Sequence, residues 1–165
     1  MTQSEPLRAG DTVLERARSE DLPALLALQQ AAYARNRTLL GVEPLPLLAD
    51  YADIMRDMEV WLARKEKNLA GALILEPREG DLLIWSIASD PAAQGGGLGR
   101  ALLAAAEERA RRLGRGVVRL YTGTVLTHLV GWYGRHGYRV ERIETLSDRS
   151  ITHMIKRLDG LGDAT

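Results

Sequence analysis

The chain has 165 residues, 45% of them hydrophobic, with 22 basic and 22 acidic side chains. That length suits one domain with a proper core, and the even balance of charge leaves no global electrostatic footprint for nucleic acid. Cysteine is absent, which excludes disulfides, thiol catalysis and thiolate metal sites.

Residues 1–10 read as a frayed tail and 159–165 as a second one, around a single domain over 11–158. The opening MTQSEPLRAG lacks the apolar centre of a signal peptide, and no stretch approaches a membrane span, so a soluble, cytoplasmic protein is expected. Thr12 to Arg18 predicts a first strand. Ser19 then caps a helix to about Ala34, with Leu22, Leu25, Leu26, Gln29, Ala32 and Tyr33 on one face. Asn36 to Pro46 reads as a loop, and Leu47 to Asp57 as a second helix. Strands follow over Glu59–Arg64 and Leu69–Glu76, with Gly71 a candidate for a bulge.

The apolar run Leu82 to Ala88 reads as a buried strand. After Asp90-Pro91 come Gly95, Gly96, Gly97 and Gly99, and then a long Ala/Leu helix. Strand, glycine-rich turn and helix N-terminus together form a geometry that binds phosphate. The glycines leave backbone N–H groups unshielded, and the helix end adds partial positive charge. Val117–Tyr121 predicts another strand and Val125–Arg135 a helix closed by Gly137. Two last strands, Tyr138–Thr145 and Ser150–Arg157, complete a mixed sheet of α+β or α/β layered type. The basic cluster Arg109, Arg111, Arg112, Arg115 and Arg119 reads as the solvated end of a helix rather than a nucleic-acid patch.

The glycine turn fits two familiar phosphate motifs poorly. A dinucleotide fingerprint needs a third glycine where Leu102 stands, and a P-loop needs a lysine where Arg100 stands. The spacing Gln94-x-x-Gly97-x-Gly99, preceded by Ala88-Ser89-Asp90-Pro91, instead resembles the acyl-coenzyme A signature of the GNAT N-acetyltransferase superfamily. Trp132-Tyr133-Gly134-Arg135-His136-Gly137-Tyr138 resembles that family's second motif, and the order of elements is similar from about 11 to 158.

The resemblance implies a GNAT-like fold: a mostly antiparallel sheet of about seven strands flanked by about four helices. It implies acetyl transfer from acetyl-coenzyme A to a primary amine, in a small molecule or at an amino terminus, by direct transfer in a ternary complex. The cofactor's pyrophosphate would lie on Gln94, Gly95, Gly96, Gly97, Leu98, Gly99 and Arg100. Its pantetheine arm would pair with Ile87, Ala88 and Ser89 where the central strand splays from its neighbour, and a backbone N–H near Ala88 would polarise the thioester oxygen. Tyr133 stands at the general-acid position. Members of the family often dimerise, which makes a homodimer compatible; neither nucleic acid nor membrane is implied as a partner.

Two positions depart from the family pattern. Trp85 stands where a carboxylate is frequent on the central strand, and Leu126 where an asparagine is frequent. The general base is therefore unassigned, with His128 or a water relayed by Asp81 or Glu76 as candidates, and a non-catalytic acyl-coenzyme A-binding or regulatory domain stands as the alternative. His128, His136 and His153 lack metal-ligand spacing. Trp85, Trp132, Tyr33 and Tyr51 are candidates for an acceptor pocket or for core packing, and Arg35 and Arg37 for an acidic acceptor or for solvent.

Overall fold

The computed structural model describes residues 5–93 and 96–158. The elements, in chain order, are β1 (Arg8–Ala9), β2 (Thr12–Val13), β3 (Glu15–Arg16), α1 (Leu22–Leu40), α2 (Leu45–Leu48), α3 (Tyr51–Asp57), β4 (Glu59–Lys65), β5 (Asn68–Pro77), β6 (Leu82–Ser89), α4 (Leu98–Arg112), β7 (Val117–Gly123), α5 (Thr127–Arg135), β8 (Arg139–Thr145) and β9 (Ser150–Arg157). Seven strands form one sheet in the order β3-β4-β5-β6-β7-β9-β8. Every neighbouring pair in it is antiparallel except β6 and β7.

The sheet carries a core on each face. Leu73 and Leu75 of β5 pack with Leu102, Ala105 and Ala106 of α4. Their neighbours Ala72 and Ile74 point the other way, onto Leu25 and Leu28 of α1 and Tyr51 and Ile54 of α3. Burial on both faces makes β5 an almost unbroken apolar run. α4 sits close because residue 71 has no side chain: a Cβ there would stand 3.0 Å from the Ala88 carbonyl oxygen and from Leu98 Cδ2.

Several boundaries differ from the sequence reading. The N-terminal tail is shorter than expected, because Leu7 and Ala9 are buried in the α4-side core and Arg8–Ala9 pairs with Thr12–Val13. α1 continues past Ala34 to Leu40, since nothing in 35–40 breaks a helix. It stops at Gly41, whose φ of 73° gives the left-handed cap with its N–H on the Arg37 carbonyl. Arg35 and Arg37 therefore sit on a helix and not in a loop. The second helix splits into α2 and α3, because Asp50 is extended and its side chain accepts from the Ala52 and Asp53 N–H groups. The bulge expected at Gly71 falls beside it, where the β4–β5 register skips Ala70.

Two ladder features shape the middle of the sheet. The β5–β6 register shifts between Ile74 and Leu75, so that Trp85 is an extra residue on β6, a β-bulge. The parallel β6–β7 ladder holds only Leu82↔Val118, Leu83↔Arg119 and Ile84↔Leu120. Beyond Ile84 the two strands diverge, and the gap opens at the bulge.

Candidate functional site

A cavity of about 1020 Å³ occupies this gap and passes through the sheet. Toward α4 it is bordered by Ile87, Gly97–Arg100, Trp132, Tyr133, Arg135 and His136. Toward α1 it is bordered by Tyr33, Arg35, Pro44–Pro46, Trp85, Ser86 and Arg149.

The central strand supplies open backbone groups. The Asp90 N–H donates to the Ala70 carbonyl at 2.8 Å. Bonded pairs alternate along an antiparallel ladder, so Ala88 and Ser86, at the same register, also direct their backbone groups to β5. Ile87 and Ser89 direct theirs the other way, into the gap. The Ala88 N–H is thus directed at Ala72, and of the backbone groups near Ala88 expected to polarise a carbonyl, those facing the cavity belong to its two neighbours.

The glycine turn supplies the second set of donors. Asp90 holds the chain as it leaves β6, its carboxylate accepting from the Ala92 N–H at 2.8 Å. Gly97 is the N-cap of α4 at φ 83°, with no side-chain cap. The first bond inside the helix runs from the Ala101 N–H to the Gly97 carbonyl, which leaves the N–H groups of Leu98, Gly99 and Arg100 without intrahelical partners. Gly99 faces Trp132, whose ring would stand 4.0 Å from a Cβ. Gly96, Gly97, Leu98, Gly99 and Arg100 thus border an open helix N-terminus suited to an anion; Gln94 and Gly95, also expected there, lie outside the described residues.

Tyr133 is placed by the C-terminus of its own helix. Gly137 has φ 95°, the Tyr138 N–H donates to the Tyr133 carbonyl, and the Gly137 N–H donates to the Gly134 carbonyl. This is a Schellman cap, with the apolar contact that accompanies it: the Tyr133 and Tyr138 rings lie 5.9 Å apart, edge to face. The Tyr-x-x-x-Gly-aromatic pattern is the sequence of that cap. Tyr138 is fixed from behind, its hydroxyl donating to buried Glu107 at 2.9 Å while Lys156 holds the other carboxylate oxygen at 3.0 Å. Tyr133 lines the cavity, and burial pushes its phenol up to about 12.

On the α1 side, inside the mouth that Arg35 and Arg149 border, the wall is a network of neutral hydroxyl and amide groups. Gln29 donates to the Tyr51 hydroxyl at 2.8 Å and to the Ser86 hydroxyl at 3.1 Å, and Tyr33 and Ser86 share a 2.8 Å bond. Tyr51 in turn donates to the Pro46 carbonyl at 2.6 Å, which ties the 41–46 connection to the sheet. Burial raises the phenols of Tyr33 and Tyr51 above their ordinary value. Trp85 packs edge-on against Tyr51 at 6.1 Å. Sequence reasoning missed Ser86 and Gln29, because their bonds span 57 and 22 residues of chain. It also missed Arg149, which reaches 106 residues back to the Glu43 carbonyl at 2.7 Å.

Other expected roles shift. Asp81 lies ahead of β6 and does not border the cavity. Arg78 and Arg119 grip its carboxylate at 2.7 Å each and, Arg78 first, hold it below the usual carboxylate range. Glu76 does not border the cavity either. His128 and His136 do, and His136 Nδ1 is bonded to the Trp132 carbonyl at 2.8 Å. His153 pairs with Glu144 at 2.9 Å, and its ring lies 5.6 Å from that of Tyr121, tilted by 49°. Leu126 is buried at the start of α5. Arg109 and Arg119 of the basic cluster are engaged by Glu59, and by Asp81 and Glu141, respectively. No helix among the described residues is long and apolar enough to cross a membrane.

The profile of the acetyltransferase (GNAT) family matches residues 22–138. The chain belongs to this family. Its match takes in α1, the splayed strands, the glycine turn and the Tyr133 cap, most of what borders the cavity; Arg149 and Ile151 lie beyond it. Solved structures agree on the GNAT fold. The ribosomal-protein-S18-alanine N-acetyltransferase from Escherichia coli superposes with a TM-score of 0.74 at 19% identity, over 93% of this chain and 98% of its own. The IAA acetyltransferase from Bacillus cereus gives 0.69 at 19%, over 90% and 100%. The PaiA N-acetyltransferase from Thermoplasma acidophilum, solved in complex with coenzyme A, gives 0.68 at 18%, over 87% and 97%. No curated protein matches this GNAT chain by sequence.

Proposed function

We propose that this GNAT protein transfers the acetyl group of acetyl-coenzyme A to a primary amine, in a ternary complex of both substrates. The observation that carries the reading is one cavity bordered by two sets of unengaged backbone groups. One is the uncapped N-terminus of α4; the other is the edge of β6 left open beyond Ile84. The first suits a pyrophosphate and the second the amides of an extended pantetheine arm. Arg100 and Arg135 border the same mouth and add charge for phosphate.

When bound, acetyl-coenzyme A would supply a thioester: the amine nitrogen would bond to the acetyl carbonyl carbon as the C–S bond breaks, the sulfur would leave with the electron pair, and the proton lost by the amine would pass to water. The protein holds the thioester oxygen toward a single N–H of the open β6 edge, that of Ile87 or of Ser89, where developing negative charge is stabilised. Tyr133, protonated throughout the neutral range, donates a hydrogen bond to the departing sulfur. Its raised pKa makes it a stabiliser of thiolate in preference to a strong acid.

The test is saturable binding of acetyl-coenzyme A by titration calorimetry, followed by release of free thiol across a panel of amines. Gly97→Glu, which puts a carboxylate where the anion belongs, is expected to abolish binding at concentrations that saturate the parent. Failure of the parent to bind millimolar acetyl-coenzyme A would sink the proposal. A second reading, a non-catalytic acyl-coenzyme A-binding domain, is favoured by one observation: no carboxylate borders the cavity among the described residues. Binding without thiol release from any amine would select it.

A further inference from the structure

The α1-side mouth of the cavity carries two arginines. Arg149 is 7% exposed in its side chain. It donates through Nε and Nη2 to Asp148 and through Nη1 to the Glu43 carbonyl, which leaves further N–H donors on both terminal nitrogens. Arg35, two residues after Tyr33 on α1, borders the same mouth and makes no ion pair among the described residues. Its neighbour Arg37 differs: Glu43 and Gln30 engage it, each at 2.7 Å. The remaining charged or titratable groups on the wall are Arg100, Arg135, His128, His136 and the phenols of Tyr33, Tyr121 and Tyr133, with no aspartate or glutamate among the described residues there.

Such a wall constrains the acceptor. An ammonium entering it meets cations and neutral dipoles, with Asp148, paired to Arg149 and off the wall, the one carboxylate among the described residues bound to a wall cation, and a polycationic amine meets several repulsions. Like charge and desolvation both favour loss of the ammonium proton, so a carboxylate base is not needed to neutralise the amine. An acceptor with its own negative group offsets the repulsion, and arginine is suited to hold a carboxylate by two parallel N–H bonds.

We propose that the acceptor is a small amine that carries a carboxylate. The carboxylate is held at the α1-side mouth by Arg35 and Arg149, and the amine lies toward the Tyr33 and Ser86 hydroxyls. The proposal rests on the acetyltransferase reading above and names its substrate class.

The experiment measures thiol release with acetyl-coenzyme A and matched acceptors: free amino acids, their carboxamides, a polyamine and a short peptide with an acidic second residue. The carboxamide has the lower amine pKa and offers more neutral amine at pH 7.5, so a preference for the free acid cannot come from protonation. Expected are a kcat/KM at least about tenfold higher for the free acid, little turnover of the polyamine, and loss of the acid preference in Arg35→Gln with recovery in Arg35→Lys. Because Arg149→Gln also frees the 41–46 connection, the Arg35 pair carries the decision. Turnover of the peptide alone would move the carboxylate source from a small acceptor to a protein terminus and overturn the small-molecule assignment. Equal or better turnover of carboxamides or polyamine would overturn the proposal while leaving the transferase standing. Acetyl-coenzyme A binding with no thiol release from any acceptor would overturn both.

Discussion

Tyr133 and Asp81 show how single residues divide the work of chemistry and stability. Tyr133→Phe removes the donor to the departing sulfur while keeping the ring that packs on Trp132 and Tyr138. kcat is expected to fall by about a hundredfold, the lower end for a positioned proton donor, with the affinity for acetyl-coenzyme A unchanged by calorimetry. A loss of affinity as large as the loss of rate would mean that the phenol acts in binding. Asp81, remote from the cavity, acts on stability. Asp81→Asn leaves Arg78 and Arg119 without their carboxylate and is expected to cost about 2 kcal/mol in urea unfolding, discounted because both arginines reach solvent. Since the folded carboxyl titrates below its ordinary value of 3.8, its contribution is complete above that pH and is lost as the pH falls through the folded value. The variant should therefore match the parent more closely in acid than at pH 7.

At the scale of elements, two glycines set where helices sit. A methyl at residue 71 would meet the Ala88 carbonyl at 3.0 Å, where backbone cannot yield cheaply. Gly71→Ala is expected to destabilise by about 1–3 kcal/mol and to loosen α4 and with it the anion site, read as a lower melting temperature and weaker cofactor binding. Gly137→Ala forces a non-glycine residue into positive φ and approaches Lys156. A cost of about 1 kcal/mol is expected, with kcat reduced because the cap that fixes Tyr133 is strained. Legibility followed the same division. The Tyr133–Gly137–Tyr138 cap and the α4 N-terminus were readable because their geometry is local, made by residues within a turn of each other. The Trp85 bulge was not, since it exists only as a mismatch of register between β5 and β6. α1 ran beyond its expected end because the glycine that stops it lies at 41, and polarity alone over Arg35–Arg37 does not end a helix. The N-terminal Leu7 and Ala9 looked like tail because the surface that buries them belongs to α4, some ninety residues on.

The whole molecule carries its aromatic chemistry in a closed group. Burial raises the phenols of Tyr33, Tyr51, Tyr121, Tyr133 and Tyr138 above the ordinary 10.0, with Tyr51 and Tyr133 at about 12. A folded state that keeps a proton longer than the unfolded chain is fully stabilised below pH 10 and loses that advantage as the pH rises toward 12. Cooperative unfolding is expected to set in above pH 10, accompanied by the absorbance of tyrosinate. Tyrosinate absorbance rising well before the loss of far-ultraviolet circular dichroism would contradict it. Across the neutral range, by contrast, Tyr133 does not titrate, so an alkaline limb in the rate well below pH 10 does not belong to its phenol.

The short ladder between β6 and β7 has a mechanical side. Among the described residues, three pairs, Leu82↔Val118 to Ile84↔Leu120, are the only rungs joining the β3–β6 portion of the sheet to the β7–β9–β8 portion. The sheet is thus two plates sharing a short seam at one end, bridged besides by the α4-side core and by the Arg149–Glu43 bond, with a wedge open between their far ends. An extended ligand lying there acts as a splint. Amide exchange should register this: the N–H groups of Ile87 and Ser89, which face the wedge, are expected to exchange quickly in the free protein. They should become protected when acetyl-coenzyme A binds, while those of Ser86 and Ala88, bonded to β5, change little. The ligand would then be a structural member of the sheet as well as a reactant.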